Sequence, residues 1–252
     1  MEFTDTVLIL RVGRFRETDL WVRFLSPKRG LVSAFAFGGS RSRRRFTGCL
    51  DCFNEVFFSI KTTRNGAYNA LQEGVLMRAP RVLRDDWRRL GVAVNCAKFV
   101  EAFGIAPDGA AQAHALLAET LEMLEEIQPP ANFPLLFRAK MAFDQGYAMD
   151  LARCSRCGVT LARTPEVGFQ IREGGFYCAS CREKERAGKF LPVSHETLDA
   201  LAHVQDYSPL RWTGGVMASL SPRGQRDCAL VVDAFIEHHV GLRWNNNRFI
   251  RI

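Results

Sequence analysis

The chain has 252 residues, of which 47% are hydrophobic and 24% charged, with a formal net charge of +7 and an isoelectric point near 9.2. That length suits one large domain or two to three small ones, and no apolar run approaches the roughly 20 residues an α-helical bilayer span needs. The charge is uneven: residues 1–50 carry ten basic side chains against four acidic ones, so this end is suited to a polyanion, either nucleic acid or an acidic protein tail.

The opening Met-Glu-Phe-Thr-Asp is acidic and lacks the basic-then-apolar layout of a secretory signal. A reducing cytoplasm is the expected compartment, where clustered cysteines are better explained by metal than by disulfides. The first eighty residues read as β-structure. Thr6–Val12, Leu20–Leu25, Leu31–Phe37 and Val56–Lys61 are short runs rich in β-branched and aromatic residues, and Ala70–Leu76 offers a fifth. Leu20, Val22 and Phe24 alternate with Trp21 and Arg23, as on a strand with one face toward a core. Ser26-Pro-Lys-Arg-Gly30 and Arg64-Asn-Gly66 are turn sequences. Five strands in about eighty residues suit an OB-fold, with an SH3-like barrel equally open on pattern alone.

Between the third and fourth strands, Gly38-Gly-Ser-Arg-Ser-Arg-Arg-Arg-Phe46 sets Arg41, Arg43, Arg44 and Arg45 in a flexible loop. A solvated charge run is the competing reading. Placement in a small barrel favours phosphate binding, because the face and loops of such barrels hold oligonucleotides. Trp21, Phe46 and Phe57 are candidate stacking platforms beside these arginines; core burial is the alternative for each and the preferred one for Phe57. Cys49-Leu-Asp-Cys52 has no matching ligand pair nearby and reads as chance spacing.

From Asp85 the period becomes helical, with stripes through Leu90, Ala93, Ala97 and through Cys96, Phe99, Phe103. Residues 111–127 form a second helix with Leu117, Leu121 and Leu124 inward and a solvated acidic face of Glu119, Glu122, Glu125 and Glu126. Asn132 and Pro134 start a third helix that runs toward Gly146. Ser194 caps a short helix through His203, and Ser221-Pro222 opens a last one closed by Gly241. The single Cys96 and Cys228 read as buried filler, and His238-His239 sits at a helix end, where a cation meets a favourable dipole without any ligand role.

Cys154-Ser-Arg-Cys157 and Cys178-Ala-Ser-Cys181 interrupt the helices. Two Cys-x-x-Cys pairs give a closed tetrahedral zinc site: each knuckle supplies two thiolates, and Gly158 and Gly174-Gly175 supply turn positions. Four protein ligands leave no position for water or substrate, so Cys154, Cys157, Cys178 and Cys181 are read as holding one structural zinc ion. Paired disulfides or idle thiols are the competing reading. The chain has no Walker loop, dinucleotide fingerprint, His-Glu-x-x-His or nucleophile elbow. A binding protein is therefore favoured over an enzyme.

Taken in order, three stretches resemble the bacterial RecO family of recombination mediators. They are Glu17-Thr-Asp-Leu-Trp-Val-Arg-Phe-Leu-Ser-Pro-Lys-Arg-Gly30, Phe37-Gly-Gly-Ser-Arg-Ser-Arg-Arg-Arg45, and Cys154 to Cys181 with Gly158 and Gly174-Gly-Phe-Tyr. The resemblance implies an α+β chain: a five-stranded OB-fold β-barrel at residues 1–80, then a helical domain at 81–252 carrying an inserted four-cysteine zinc module at about 152–184. It implies binding of single- and double-stranded DNA, annealing of complementary strands, and work with RecR and single-strand-binding protein to load RecA in a bacterial, nucleoid-associated setting. The matching DNA positions are Arg41, Arg43, Arg44 and Arg45, then Arg23, Lys28 and Arg29. The ending from Leu242 departs from the short basic-serine tail expected of the family. A zinc-ribbon adaptor that binds only proteins is the alternative, and a zinc or thiol enzyme ranks third.

Overall fold

The computed structural model describes residues 2–185, 189–212 and 220–252. The residues fall into two compact units: one runs to Ala93 and takes in Gly104–Ile127, and the other joins Val94–Phe103 to Gln128–Ile252.

In the first unit, alternating side chains close a barrel. Strands β1 (Glu2–Arg14), β2 (Leu20–Ser26), β3 (Gly30–Ala36), β4 (Glu55–Thr62) and β5 (Asn69–Arg78) are ordered β1-β2-β3-β5-β4, and β4 returns to β1. β3 and β5 pair in parallel and every other pair is antiparallel. This is the five-stranded OB arrangement. Long β1 serves two neighbours: Glu2–Leu8 pairs with β4, while Leu8–Arg14 pairs with β2 across an irregularity between Ile9 and Arg11. Such a bulge bends the strand so that the sheet can close without an edge. Val22, Phe24, Ala34, Val56 and Phe58 fill the interior and are fully buried, which leaves Trp21, Arg23, Ser33 and Phe35 on the outer face of β2 and β3.

The helix α3 (Ala110–Glu126) packs on β1, β2 and β3 within this unit. Leu117, Leu121 and Leu124 are buried as expected. The acidic face is not simply solvated, however. Glu125 accepts the N–H groups of Arg81, Val82 and Leu83 at 3.0, 3.2 and 2.7 Å, capping the short helix α1 (Val82–Asp85), and Glu122 lies 3.8 Å from Arg78.

Gly30 closes the β2–β3 turn at φ +70, and a Cβ there would lie 2.2 Å from the carbonyl oxygen of Ile105. Gly30→Ala should therefore cost about 1–3 kcal/mol, through left-handed strain and the backbone collision together. Urea unfolding at constant slope would measure it.

The second unit combines helices with two small sheets. The helix α2 (Trp87–Phe103) contributes its second half, from Val94, and α4 (Phe133–Ala142) continues into one wide turn that Gly146 ends at φ +95. Three four-residue strands, β6 (Val167–Gln170), β7 (Gly175–Cys178) and β8 (Phe190–Val193), form a sheet ordered β7-β6-β8, and α5 (Ala179–Lys184) follows β7 directly. The helices α6 (His195–Asp206) and α7 (Pro222–Phe235) pack together with α4. Neither Asn132 nor Ser194 caps through its side chain, whereas Ser221 Oγ accepts the Gly224 N–H at 3.1 Å. Gly241, at φ +72, ends the turn that prolongs α7.

Glu196 of α6 holds the start of α7, accepting both the hydroxyl and the N–H of Ser221, the latter at 3.0 Å. The hydroxyl first, then the N–H, hold its carboxyl below the ordinary value of 4.5. A depressed carboxyl stabilises the fold above its unfolded value and ceases to do so as pH falls through the folded one. The urea midpoint should thus drop on acidification below about pH 4.5, and Glu196→Gln should shrink that drop.

The chain ends in a hairpin that the sequence reading left unassigned. β9 (Leu242–Asn245) and β10 (Arg248–Arg251) pair around Asn246 and Asn247, both at positive φ. Asn tolerates that region, and two such residues make the tight turn that antiparallel strands favour. Phe249 lies edge-on to Phe99 at 5.0 Å, and Lys98 Nζ donates to the Asn247 carbonyl at 2.9 Å.

Candidate metal centre and nucleic-acid interface

The four cysteines of the two knuckles converge. Their Sγ atoms all lie within 4.8 Å of one another. Cys157 and Cys178 Sγ are 3.8 Å apart, far beyond a disulfide bond, and the tetrahedron around a metal with Zn–S bonds of ~2.3 Å has an edge of ~3.8 Å. The local folding is short-range. Gly158, at φ +73, donates to the Cys154 carbonyl at 2.9 Å, and Cys154 N–H reaches Val159 at 2.9 Å. Gly174 turns the β6–β7 hairpin at φ +64, whereas Gly175 is needed for space: a Cβ there would meet Ser155 Oγ at 2.3 Å. Cys178 ends β7, Cys181 sits in α5, and the Cys178 N–H points at Cys154 Sγ from 3.4 Å.

The thiols sense one another. Burial opposes ionisation of Cys154, but N–H groups of Cys157, Cys178 and Arg156 outweigh it and bring this thiol to about 6. Burial, then the neighbouring sulfurs, push Cys181 up to about 12. Four soft sulfur donors this close together suit a tetrahedral metal, so these cysteines could hold one metal ion. The remaining cysteines do not join them. Cys49 lies in the barrel core, Cys96 and Cys228 are fully buried, and burial raises all three thiols and that of Cys52. His239 bonds the Ile171 carbonyl through Nε2 at 2.8 Å.

In the barrel, the arginine loop is stitched to the turn between β1 and β2. Ser40 donates to the Thr18 carbonyl from both N–H and Oγ, at 3.1 and 3.0 Å, and the Gly38 N–H donates to Asp19 Oδ1 at 2.8 Å. Arg41, Arg43 and Arg44 are exposed, and among the described residues none of them meets an acidic partner. Arg45 is exposed but committed: its Nη2 donates to the Phe37 carbonyl at 2.5 Å, and its guanidinium lies 5.0 Å from the Phe46 ring. Arg23 sits on the outer face of β2 and donates to Ser33 Oγ at 2.9 Å. Lys28 and Arg29 occupy the far end of the β2–β3 hairpin, a seven-residue strand or roughly 20 Å from the loop. There Lys28 is 3.8 Å from the buried Asp5, and Arg29 stacks 3.9 Å from the Phe3 ring. Arg23 thus lies midway along β2, between the loop at one end of the hairpin and Lys28 and Arg29 at the other.

Two aromatic expectations are corrected. Phe46 is buried at 3% exposure within the barrel core, edge-on to Phe58 at 6.5 Å, because the loop folds back and inserts it; it is no stacking platform. Phe57 is exposed on the outer face of β4, beside Val75 of β5. Trp21 is half-buried, lying over Gly13 of β1.

The RecO N-terminal family model (Recombination protein O N terminal) matches residues 1–79, and the C-terminal model matches residues 84–248. The chain belongs to the RecO family. It is 52% identical over 259 residues to the DNA repair protein RecO of Nitratidesulfovibrio vulgaris (strain DP4), covering 100% of both chains. It is 52% identical over 253 residues to that of Oleidesulfovibrio alaskensis and 36% identical over 253 residues to that of Lawsonia intracellularis, again covering 100% of each. The RecO C-terminal match stops at residue 248, inside the closing hairpin, whereas these RecO relatives cover the chain entirely. Among the described residues, no helix is long and apolar enough to cross a membrane.

The sequence reading missed four RecO-chain aromatics outside its own candidates. Phe15, Phe35, Phe37 and Tyr68 form one cluster on the barrel surface, with ring centroids 4.7 to 6.0 Å apart. A signal existed for two of them: Phe35 and Phe37 flank inward-facing Ala36, so the strand's own alternation turns both away from the core.

Proposed function

We propose that this chain is a DNA-binding recombination mediator in recombinational repair. It anneals complementary strands and, with RecR, helps load RecA onto single-stranded DNA coated by single-strand-binding protein, in the bacterial cytoplasm and in association with the nucleoid. Residues 1–80 act as the nucleic-acid-binding barrel. Residues 81–252 act as the helical domain, with its zinc module at about 152–184. The observation that carries this reading is the exposed Arg41-Ser-Arg-Arg loop tied to the β1–β2 turn of a closed five-stranded barrel, in a chain whose family is RecO.

Arg41, Arg43 and Arg44 supply sequence-independent affinity by neutralising phosphates and releasing counterions. Arg45 positions the loop through Phe37, and Arg23 extends the basic surface along β2. Lys28 and Arg29 contribute at the far turn, where each is already engaged inside the protein. Two strands held this way repel each other less while their bases stay free to pair, so annealing needs no nucleotide hydrolysis and no catalytic residue. Cys154, Cys157, Cys178 and Cys181 hold one zinc ion, which when bound cross-links two knuckles and offers no open coordination position. The test is RecA filament assembly on strands coated with single-strand-binding protein. Adding the chain with RecR should shorten the lag, and an unchanged lag would contradict the reading.

A further inference from the structure

Water-exposed aromatic rings rarely gather without a reason, because each forfeits burial that a core would provide. Phe15 is 49% exposed, Phe37 37% and Tyr68 42%, yet all three meet at Phe35. Phe15 is 4.7 Å from Phe35, Tyr68 stands edge-on to it at 5.8 Å, and Phe37 stacks alongside at 6.0 Å with planes 23° apart. The rings come from separate segments. Phe15 lies between β1 and β2, Phe35 on the outer face of β3, Phe37 just after it, and Tyr68 between β4 and β5. In a five-stranded barrel of this topology, the β2–β3 face and those two loops are where oligonucleotides lie.

The surroundings are cationic. Arg14 and Arg16 flank Phe15, with the Arg16 guanidinium 5.3 Å from its ring, and Arg64 belongs to the same loop as Tyr68. All three are exposed. Of the acids nearby in sequence, Glu17 is exposed and Asp19 is held by the Gly38 N–H. Arg45 anchors Phe37 through its carbonyl, so the ring cluster and the arginine loop share one fixed piece of backbone. Rings interleaved with cations fit a strand that carries bases on one side and phosphates on the other.

We infer that Phe15, Phe35, Phe37 and Tyr68 form a base-stacking platform for single-stranded nucleic acid, with Arg14, Arg16 and Arg64 tracking its phosphates. This rests on the DNA-binding reading and adds a strand preference to it: bases flattened on the rings must be unpaired, so duplex DNA can use only the arginines.

The test compares a thymidine 20-mer with an abasic strand of equal length and charge, each binding the full chain and its Phe37→Leu/Tyr68→Leu variant. A Phe15→Leu variant serves as a second probe, and circular dichroism checks folding. The intact chain should prefer the thymidine strand, and the double variant should lose about tenfold or more on that strand, as expected from stacking. The variant should keep its affinity for the abasic strand and its salt slope. Equal affinity of the intact chain for both strands, with both variants unchanged, overturns the platform and leaves arginine-based DNA binding standing. Binding to neither strand overturns both.

Discussion

Cys178→Ser, or removal of the metal by a chelator, should destabilise the helical unit far more than the barrel. The sheet β7-β6-β8 has strands of only four residues, so its stability draws on packing and ligation beyond its own pairing. Phe169 and Phe176 pack together at 5.1 Å, but among the described residues the two Cys-x-x-Cys turns are joined by little more than the Cys157–Cys178 sulfur contact and the Cys178 N–H to Cys154 Sγ, with Arg156 paired to Glu185 at the end of α5. Metal binding in small zinc domains is worth about 10–16 kcal/mol at neutral pH, and that energy is folding energy. Loss of one thiolate should remove several kcal/mol of it. Hydrogen exchange read by peptide should show residues 154–181 and the helices α6 and α7 losing protection, while β1–β5 remain protected. A chelated protein with unchanged melting and unchanged exchange over 154–181 would rule out a structural metal.

Replacing Arg41, Arg43 and Arg44 by alanine should flatten the salt dependence of single-strand binding. Each phosphate neutralised contributes about 0.7 to the slope of log K against log salt, so three losses lower it by about 2. Affinity at 0.1 M salt, scaled from 1 M, then falls roughly 100-fold. Arg45→Ala should behave differently, because its guanidinium holds the Phe37 carbonyl: it should weaken binding by loosening the loop. Lys28→Ala and Arg29→Ala should change the slope least, since these side chains engage Asp5 and Phe3. A triple variant with an unaltered slope would take the loop out of the interface.

What could be read from the sequence was local. Val22 and Phe24 against Trp21 and Arg23 betray a strand, because one period of two settles which side meets the core. The four cysteines are equally legible, since each knuckle is closed within five residues by Gly158 or by the start of α5. What stayed hidden depends on distant partners. The leucines of α3 reveal a helix but not that it packs on β1–β3, and nothing near Glu125 announces that it caps a helix 42 to 44 residues earlier. Phe46 follows three arginines and looks like a surface ring, yet the loop turns it into the core. The platform rings come from three separate segments of the chain, so only the closed barrel brings them together. The Asn246-Asn247 turn went unread, although both residues tolerate positive φ and Trp244 pairs with Phe249 across it.

The most direct measurement is the annealing rate of two complementary strands precoated with single-strand-binding protein, with no nucleotide present. The intact chain should accelerate pairing, the acceleration should fade as salt rises, and the triple arginine variant should lack it. A folded, metal-loaded chain that leaves the rate unchanged at low salt would contradict a DNA-annealing role and point to an adaptor that binds only proteins.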